Sequence, residues 1–445
     1  MSKRGYPARK LMNLPGNDSC HVLGDVPFCP EKWLFLLRSL CPSAPLVYFF
    51  RQENWGLSII PWDIAPVDHQ ELLSVLGSPP GNGGKRSDHG RPFFSDGYVF
   101  LVPFSGIDPD NLSTTIAYRY RSSIIYEHRS RRLFVPDPLY GPAEKAGCWD
   151  GQESAVLHVP AMVVSPGISW EQYRQKVLEV LSGIGQGRFY QVNLAIDFTG
   201  QDPGIDPVAL NQNLLKSNPS PGAAMLSTAE QWLVSNSPER LFSLSEGVIT
   251  TSPIAGTLPV RKDASKNAPL NGDLSGEDLF RGDPKEHAEH IMTVDLLRND
   301  LGKICRRSSI HVPRLLGVER YRHLWHLVSD VRGELSPETS LGEILAAMMP
   351  GGSVTGAPKQ AVTREILKLE DVSREYYCGS LGIFDPETGS ADFNLLIRTV
   401  FQENGRIRIP VGSGLVADSD PEREYEEILA KLRVISDVLG SGSSG

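Results

Sequence analysis

From Ser169 onward the chain sets out one sharply bounded helix, then a run of short strands, then helices set apart from one another. Ser169 followed three residues later by Gln172 is a capping-box pattern. Tyr173, Val177, Leu181 and Ile184 continue at helical spacing, and Gly185 and Gly187 close the helix. Apolar or alternating runs at 189–198, 232–236, 241–245 and 247–252 read as strands. Residues 261–283 read as a polar loop, 284–301 and 359–369 as helices, and 378–384, 392–402 and 406–411 as strands. In the last helix Asp420 is the N-cap and Pro421 the first helical residue. Strands that succeed one another without crossover helices pair antiparallel, so the expected class is α+β rather than alternating βαβ. No repeat recurs at a fixed period.

Residues 1–160 form an expected N-terminal subdomain, with strand-like runs at 46–50, 98–103 and 115–120 and a Gly-rich polar loop at 81–90. Residues 165–438 form the expected second, larger domain, and 439–445 a flexible Gly/Ser tail of the kind that cloning appends. A chain of 445 residues with 40% hydrophobic and 22% charged residues reads as soluble and globular. A net charge of −9 offers no footprint for nucleic acid. An anionic ligand would need a local site built on a metal ion or on helix N-termini. Six cysteines without a CxxC pair argue for a reducing, cytoplasmic setting. Lys3, Arg4, Arg9 and Lys10 are followed by no apolar run, so a signal peptide is not expected. No run approaches the ~18 apolar residues of a membrane span.

Two carboxylate pairs stand out. Glu286 and Glu289 are three apart on one expected helix, and Glu424 and Glu427 on another, so each pair shares a face. Facing each other, such helices would offer all-oxygen ligation with room for water, which suits Mg²⁺. Spacing alone favours plain solvated faces, with Glu427 paired to Lys431. His287 and His290 around Glu289 do not make a zinc motif, because the string is not HExxH and no third ligand follows.

Gly412-Ser413-Gly414 matches part of a dinucleotide fingerprint, but no helix opens directly behind it, so a turn with close backbone approach is the better reading. Gly351–Lys359 lacks the GK[ST] ending of a phosphate loop and reads as a turn before a helix. Arg398, expected in a strand among apolar neighbours, needs an anionic partner if buried. His326 taken alone reads as a satisfied core histidine.

The order of these segments carries more than any one of them. Tyr190-Gln191-Val192-Asn193, Ser237-Pro238-Glu239-Arg240, Thr251-Ser252-Pro253-Ile254-Ala255-Gly256-Thr257, Ala288-Glu289-His290, Gly352-Ser353-Val354-Thr355-Gly356-Ala357-Pro358-Lys359, Gly412-Ser413-Gly414 and the Glu424/Glu427 helix follow in turn. In this order they resemble the chorismate-utilising enzymes, and within them the synthase subunits that aminate chorismate. The resemblance spans roughly Ser169 to Ile435. It implies large, mostly antiparallel sheets packed together with helices outside.

It also implies roles. Glu289 and Glu427 would hold Mg²⁺ against a substrate carboxylate, with Glu286 and Glu424 in support. Glu239 would be the general acid, and His326 the active-site histidine. Thr355, Tyr377, Arg398, Lys431, Gly256, Thr257 and the backbone at Ser413 and Gly414 would lie on the substrate side. Family members that add water carry lysine where this chain has Gln191. Glutamine takes no proton at neutral pH, whereas ammonia needs no base, so amination is implied.

Ala255 replaces the lysine that forms a covalent intermediate in most aminodeoxychorismate synthases. PIAGT is the anthranilate-type string. Asn193, Leu258-Pro259 and Ser237-Pro238-Glu239-Arg240-Leu241-Phe242 suit the aminodeoxychorismate type, and the Leu-Leu-Glu-Ser element of a tryptophan site is missing. The implied reaction makes 4-amino-4-deoxychorismate from chorismate and ammonia, through 2-amino-2-deoxyisochorismate, for p-aminobenzoate and folate. Anthranilate synthesis is the rival, and a non-catalytic relative is disfavoured because Glu239, Glu289, His326 and Glu427 are all present. No Cys-His glutaminase arrangement is evident, so a separate glutamine amidotransferase subunit is the implied ammonia source. The run Phe93–Tyr98 has one glycine, Gly97, where the family usually has a pair.

Overall fold

A computed structural model describes residues 9–13, 19–24, 26, 28–51, 57–80, 94, 96–106, 115–148, 157–259, 284–320 and 324–440. The loops expected at 81–90 and 261–283 and the tail from 441 lie outside the described residues. The class is α+β. Every described strand pairing is antiparallel, and the helices pack on the sheets. No described helix is long and apolar enough to cross a membrane.

Two pairings join the first third of the chain to the rest. Leu46–Arg51 pairs with Ala224–Ser227, and Gly97–Val102 pairs with Ser380–Asp385. Gly97 has φ +150, and a Cβ there would sit 2.1 Å from the Phe384 carbonyl oxygen. The one glycine at this strand entry is therefore required by close backbone approach.

Where local chemistry decides, the elements match expectation. Ser169 and Gln172 make both bonds of the capping box: the Ser169 N–H donates to Gln172 Oε1 at 2.8 Å, and the Gln172 N–H donates to Ser169 Oγ at 3.3 Å. The helix runs Trp170–Gly185. Its buried face is Tyr173, Val177, Val180 and Gly183, so Leu181 and Ile184 lie at its flank. Gly183 belongs to that face because a Cβ there would lie 2.4 Å from the Phe189 ring. Asp420 accepts from the Arg423 N–H at 3.1 Å and starts the last helix, Pro421–Ser436.

Helices at Pro30–Leu40, His69–Gly77 and Asp137–Lys145 lie in the part of the chain where only strands were expected. Pro207–Ser217 and Leu341–Met348 were likewise not anticipated, although Asp206 and the Ser340/Glu343 capping box announce them.

Two expectations are corrected where the chain meets the cavity described below. Gly412-Ser413-Gly414 is not a turn. It is the end of the strand Arg406–Leu415, paired along its length with Gln191–Gln201. Arg398 is not in a strand either. The expected strand 392–402 is broken into Ser390–Leu395 and Thr399–Glu403. Arg398 sits in the break with φ +49, while its carbonyl accepts from the Asn236 N–H. A left-handed residue cannot continue a strand, so the guanidinium is turned out of the pleat.

Candidate active site

One cavity of about 450 Å³ collects residues from distant parts of the chain. The strands Gln191–Gln201 and Arg406–Leu415 form one wall through Gln191, Asn193, Gly412 and Gly414. The last helix adds Glu424, Glu427 and Lys431. The helix Pro284–Gly302 adds Glu289, and the strand Leu324–Glu334 adds His326. The Glu239 loop, Ser353, Tyr377 and Arg398 complete it.

Glu239 lies just before the strand Arg240–Ser245, in a loop tied to itself. Its N–H donates to Ser237 Oγ, whose hydroxyl donates back to the Glu239 carbonyl, both at 3.2 Å. Ser353 donates to the carboxyl Oε1 at 2.7 Å. Burial pushes the carboxyl up to about 7, against the opposing pull of the Ser353 hydroxyl, the Ile254 N–H and the Arg398 charge. A carboxylic acid still half protonated near neutral pH is suited to give a proton to a leaving group. Burial in turn lowers the Arg398 guanidinium from its ordinary value, and Glu239 counters that.

The carboxylates reach the cavity from two helices. Glu424 is buried and accepts from Ser419 Oγ at 2.6 Å. Glu427 is half exposed at the rim and pairs with Lys431 at 2.5 Å, the i,i+4 contact expected from sequence. Lys431 also donates to the Gly412 carbonyl at 3.0 Å, which pins the last helix to the glycine strand. Among the described residues no three His, Cys, Asp or Glu side chains converge closely enough to enclose a metal by themselves. Glu289, Glu424 and Glu427 nevertheless line one cavity with oxygen donors only, the donor chemistry of a hard cation that keeps several waters.

Several expected site residues fall elsewhere. Thr355 is fully buried and its hydroxyl donates to the Gly351 carbonyl at 2.7 Å, off the cavity wall. The Ser413 side chain points to the opposite face of its strand, 3.4 Å from the Tyr173 hydroxyl, while the role expected at this position belongs to its backbone. The side chains of Ala255, Thr257 and Glu286 lie outside the described residues. Of the PIAGT string only backbone register is described: Ala255 lies opposite Leu327, and Thr257 opposite His326.

Two wall residues have roles that sequence reasoning missed. Ser353 sat unnoticed inside the glycine-rich turn. Asn193 served only as a subclass marker, although its place two residues from Gln191 puts both on one strand face.

The glycines opposite them have a steric reason. A Cβ on Gly412 would lie 2.8 Å from Asn193 Oδ1 and 3.1 Å from the Tyr377 hydroxyl. A Cβ on Gly414 would lie 2.9 Å from Gln191 Nε2. Both glycines let polar side chains of neighbouring segments lie over the strand.

Comparison with known proteins agrees with this arrangement. Residues 105–437 match the family described as chorismate binding enzyme. This chain belongs to the chorismate-binding enzymes. Its relatives among them carry two names. The "Anthranilate synthase component 1" of Saccharolobus solfataricus is 36% identical over 317 residues, spanning 71% of this chain and 72% of that protein. The "Aminodeoxychorismate synthase component 1" of Bacillus subtilis is 37% identical over 356 residues, spanning 76% and 74%. Among solved structures, anthranilate synthase component I from Streptococcus pneumoniae superposes with TM-score 0.66 at 24% identity, covering 98% of this chain and 94% of that one. The menaquinone-specific isochorismate synthase of Escherichia coli superposes with TM-score 0.69 at 18% identity, covering 98% and 95%. These two establish the chorismate-binding fold. The chain is a chorismate-utilising synthase whose relatives are named both as anthranilate synthases and as aminodeoxychorismate synthases.

Proposed function

We propose that the chain is the synthase subunit of an aminodeoxychorismate synthase. It would convert chorismate and ammonia to 4-amino-4-deoxychorismate. A separate glutamine amidotransferase subunit would supply the ammonia. The observation that carries the reading is the Gln191–Asn193 wall of the cavity. Neither side chain takes a proton at neutral pH, so this wall suits a nucleophile that arrives already reactive.

Glu239 donates its proton to the ring hydroxyl as the C–O bond breaks, and Ser353 orients that carboxyl. Arg398 offers a guanidinium to a substrate carboxylate. Glu289, Glu424 and Glu427, which share the cavity, would hold a Mg²⁺ ion there, with Glu286, whose side chain lies outside the described residues, expected in support. When bound, the ion would supply positive charge to the ring carboxylate. Ala255 leaves no lysine for a covalent step at that position, so the first amination would give free 2-amino-2-deoxyisochorismate and a second ammonia would enter at carbon 4.

Anthranilate synthesis is the second reading, favoured by Ala255 itself. Product identification separates the two. Purified chain, chorismate, ammonium and Mg²⁺ at mildly alkaline pH should yield 4-amino-4-deoxychorismate by mass spectrometry, and none when magnesium is chelated. Anthranilate with released pyruvate as the sole product would replace this reading with the second.

A further inference from the structure

The helix Pro284–Gly302 packs against the strands Leu324–Glu334 and Ile254–Pro259. His290, Val294, Leu297 and Leu301 recur along it at the spacing of one buried stripe. Three of the four are apolar, and His290 stands where another leucine would complete the seam. The residue is fully buried and lines no part of the cavity. Its Nε2 lies 2.7 Å from Ser329 Oγ, and its Nδ1 has no partner among the described residues. One hydrogen bond therefore orients the ring.

Ser329 is a junction. Its Oγ also accepts from the Leu316 N–H at 2.9 Å, and its own N–H donates to the Pro253 carbonyl at 3.3 Å. The hydroxyl is thus fixed by backbone on both sides of its strand. His326, three residues earlier in that strand, lines the cavity.

The histidine end of the bond sits beside Glu289. Glu289 and Thr293, four residues apart, both reach the cavity, and His290 lies about 100° round the helix from Glu289. Apolar packing is non-directional, so Val294, Leu297 and Leu301 hold the helix down without fixing its rotation. A short hydrogen bond does fix it. A buried polar pair in an apolar seam gains little stability over apolar side chains of the same shape; what it can provide is one registry.

We infer that His290 is a positioning residue: its bond to Ser329 sets the rotation of the helix and so aims the Glu289 carboxylate into the cavity, in register with His326. This rests on the magnesium reading proposed above, in which Glu289 is a ligand.

The test is isothermal titration of Mg²⁺ into the full chain with saturating chorismate and no ammonia. Melting curves accompany it, for the wild type, His290→Leu and His290→Gln. Leucine completes the apolar stripe and removes the bond, whereas glutamine keeps a polar group where Nε2 lies. His290→Leu should weaken Mg²⁺ binding about tenfold, as when a group that orients a metal ligand is lost, without lowering the melting temperature. His290→Gln should recover the affinity to within about threefold of wild type. If His290→Leu does not fold, Ser329→Ala removes the same bond from the strand side and is read in the same way. Unchanged Mg²⁺ affinity in His290→Leu, with or without a fall in melting temperature, would overturn the inference and leave the metal reading standing. Equal losses of affinity in His290→Leu and His290→Gln would do the same. A wild type that takes up no Mg²⁺ would overturn both.

Discussion

Glu239 carries two opposite consequences in one side chain. Its carboxyl is buried at 6% exposure and titrates near 7. The folded value lies above that of an unfolded carboxylate, so the native state binds the proton more tightly. That contribution to stability is complete at acid pH and is lost as pH rises through about 7. By pH 8 the ionised group costs the fold on the order of 3 kcal/mol. Glu239→Gln removes the ionisation and keeps an acceptor for Ser353. The variant should melt higher than wild type at pH 8 and not at pH 5, while kcat falls ~10²–10⁴-fold for loss of the acid. Wild-type activity that depends on the protonated acid should decline above about pH 7. Equal melting temperatures for the two proteins at pH 8 would show that the carboxyl is not held protonated. The place of Glu239 at the cavity was legible because it sits in a short string of fixed order. Its Ser353 partner was not, since 114 positions separate the two and only the fold joins them.

The strand Arg406–Leu415 shows how one element serves two masters. Its ladder with Gln191–Gln201 needs extended backbone, and its glycines must leave space for side chains from across the sheet. Near Gly414 a Cβ would meet only the far end of Gln191, at 2.9 Å from Nε2. Gly414→Ala should therefore shift stability by less than about 1 kcal/mol while displacing the carboxamide and cutting kcat/KM about tenfold. A large fall in melting temperature would show that the glycine is there for the backbone instead. From sequence these glycines read as a turn, because glycine is the strongest local sign of one. The reason for them lies in residues more than two hundred positions earlier, which no local pattern reports. Arg398 was misplaced for the same cause: its strand break is set by distant bonds, with its carbonyl accepting from the Asn236 N–H, the Leu396 N–H donating to the Gly379 carbonyl and the Leu396 carbonyl accepting from the Cys378 N–H. The helix starts at Ser169 and Asp420, whose bonds close within three residues, were legible outright.

At the scale of the molecule, the N-terminal third is built into the sheets that carry the site. Ser380–Asp385 has all six residues buried and is flanked by Gly97–Val102 on one side and Ser390–Leu395 on the other. Arg374 links further parts: it pairs with Glu370, donates to the carbonyls of Val354 and Asn193, and stacks over Phe104 at 4.5 Å. Residues 161–440 expressed alone would leave Ser380–Asp385 and Ala224–Ser227 as unpaired apolar edges. That fragment should aggregate or fail to melt cooperatively, and a monomeric fragment with a sharp transition would contradict this. The α+β class was legible because antiparallel succession shows in the order of elements. The first third gave little beyond scattered strands, because many of its pairings skip along the chain, as Leu57–Pro66 pairs with Ile116–Glu127 and Ser19–Gly24 with Arg132–Pro136, and no local pattern reports them.

The long pairing of Gln191–Gln201 with Arg406–Leu415 has a further consequence. Odd positions of the first strand, Gln191 and Asn193, line the cavity, while even positions, Val192, Leu194, Ile196 and Phe198, fill the core. Cavity polarity and core hydrophobicity are interleaved in one string and told apart only by parity. Deleting a single residue here would turn the oily face toward the substrate and the amides into the interior, breaking both at once. A substitution here alters one side chain, whereas a change of length by one inverts both faces, so geometry fixes the length of this segment before any demand of chemistry.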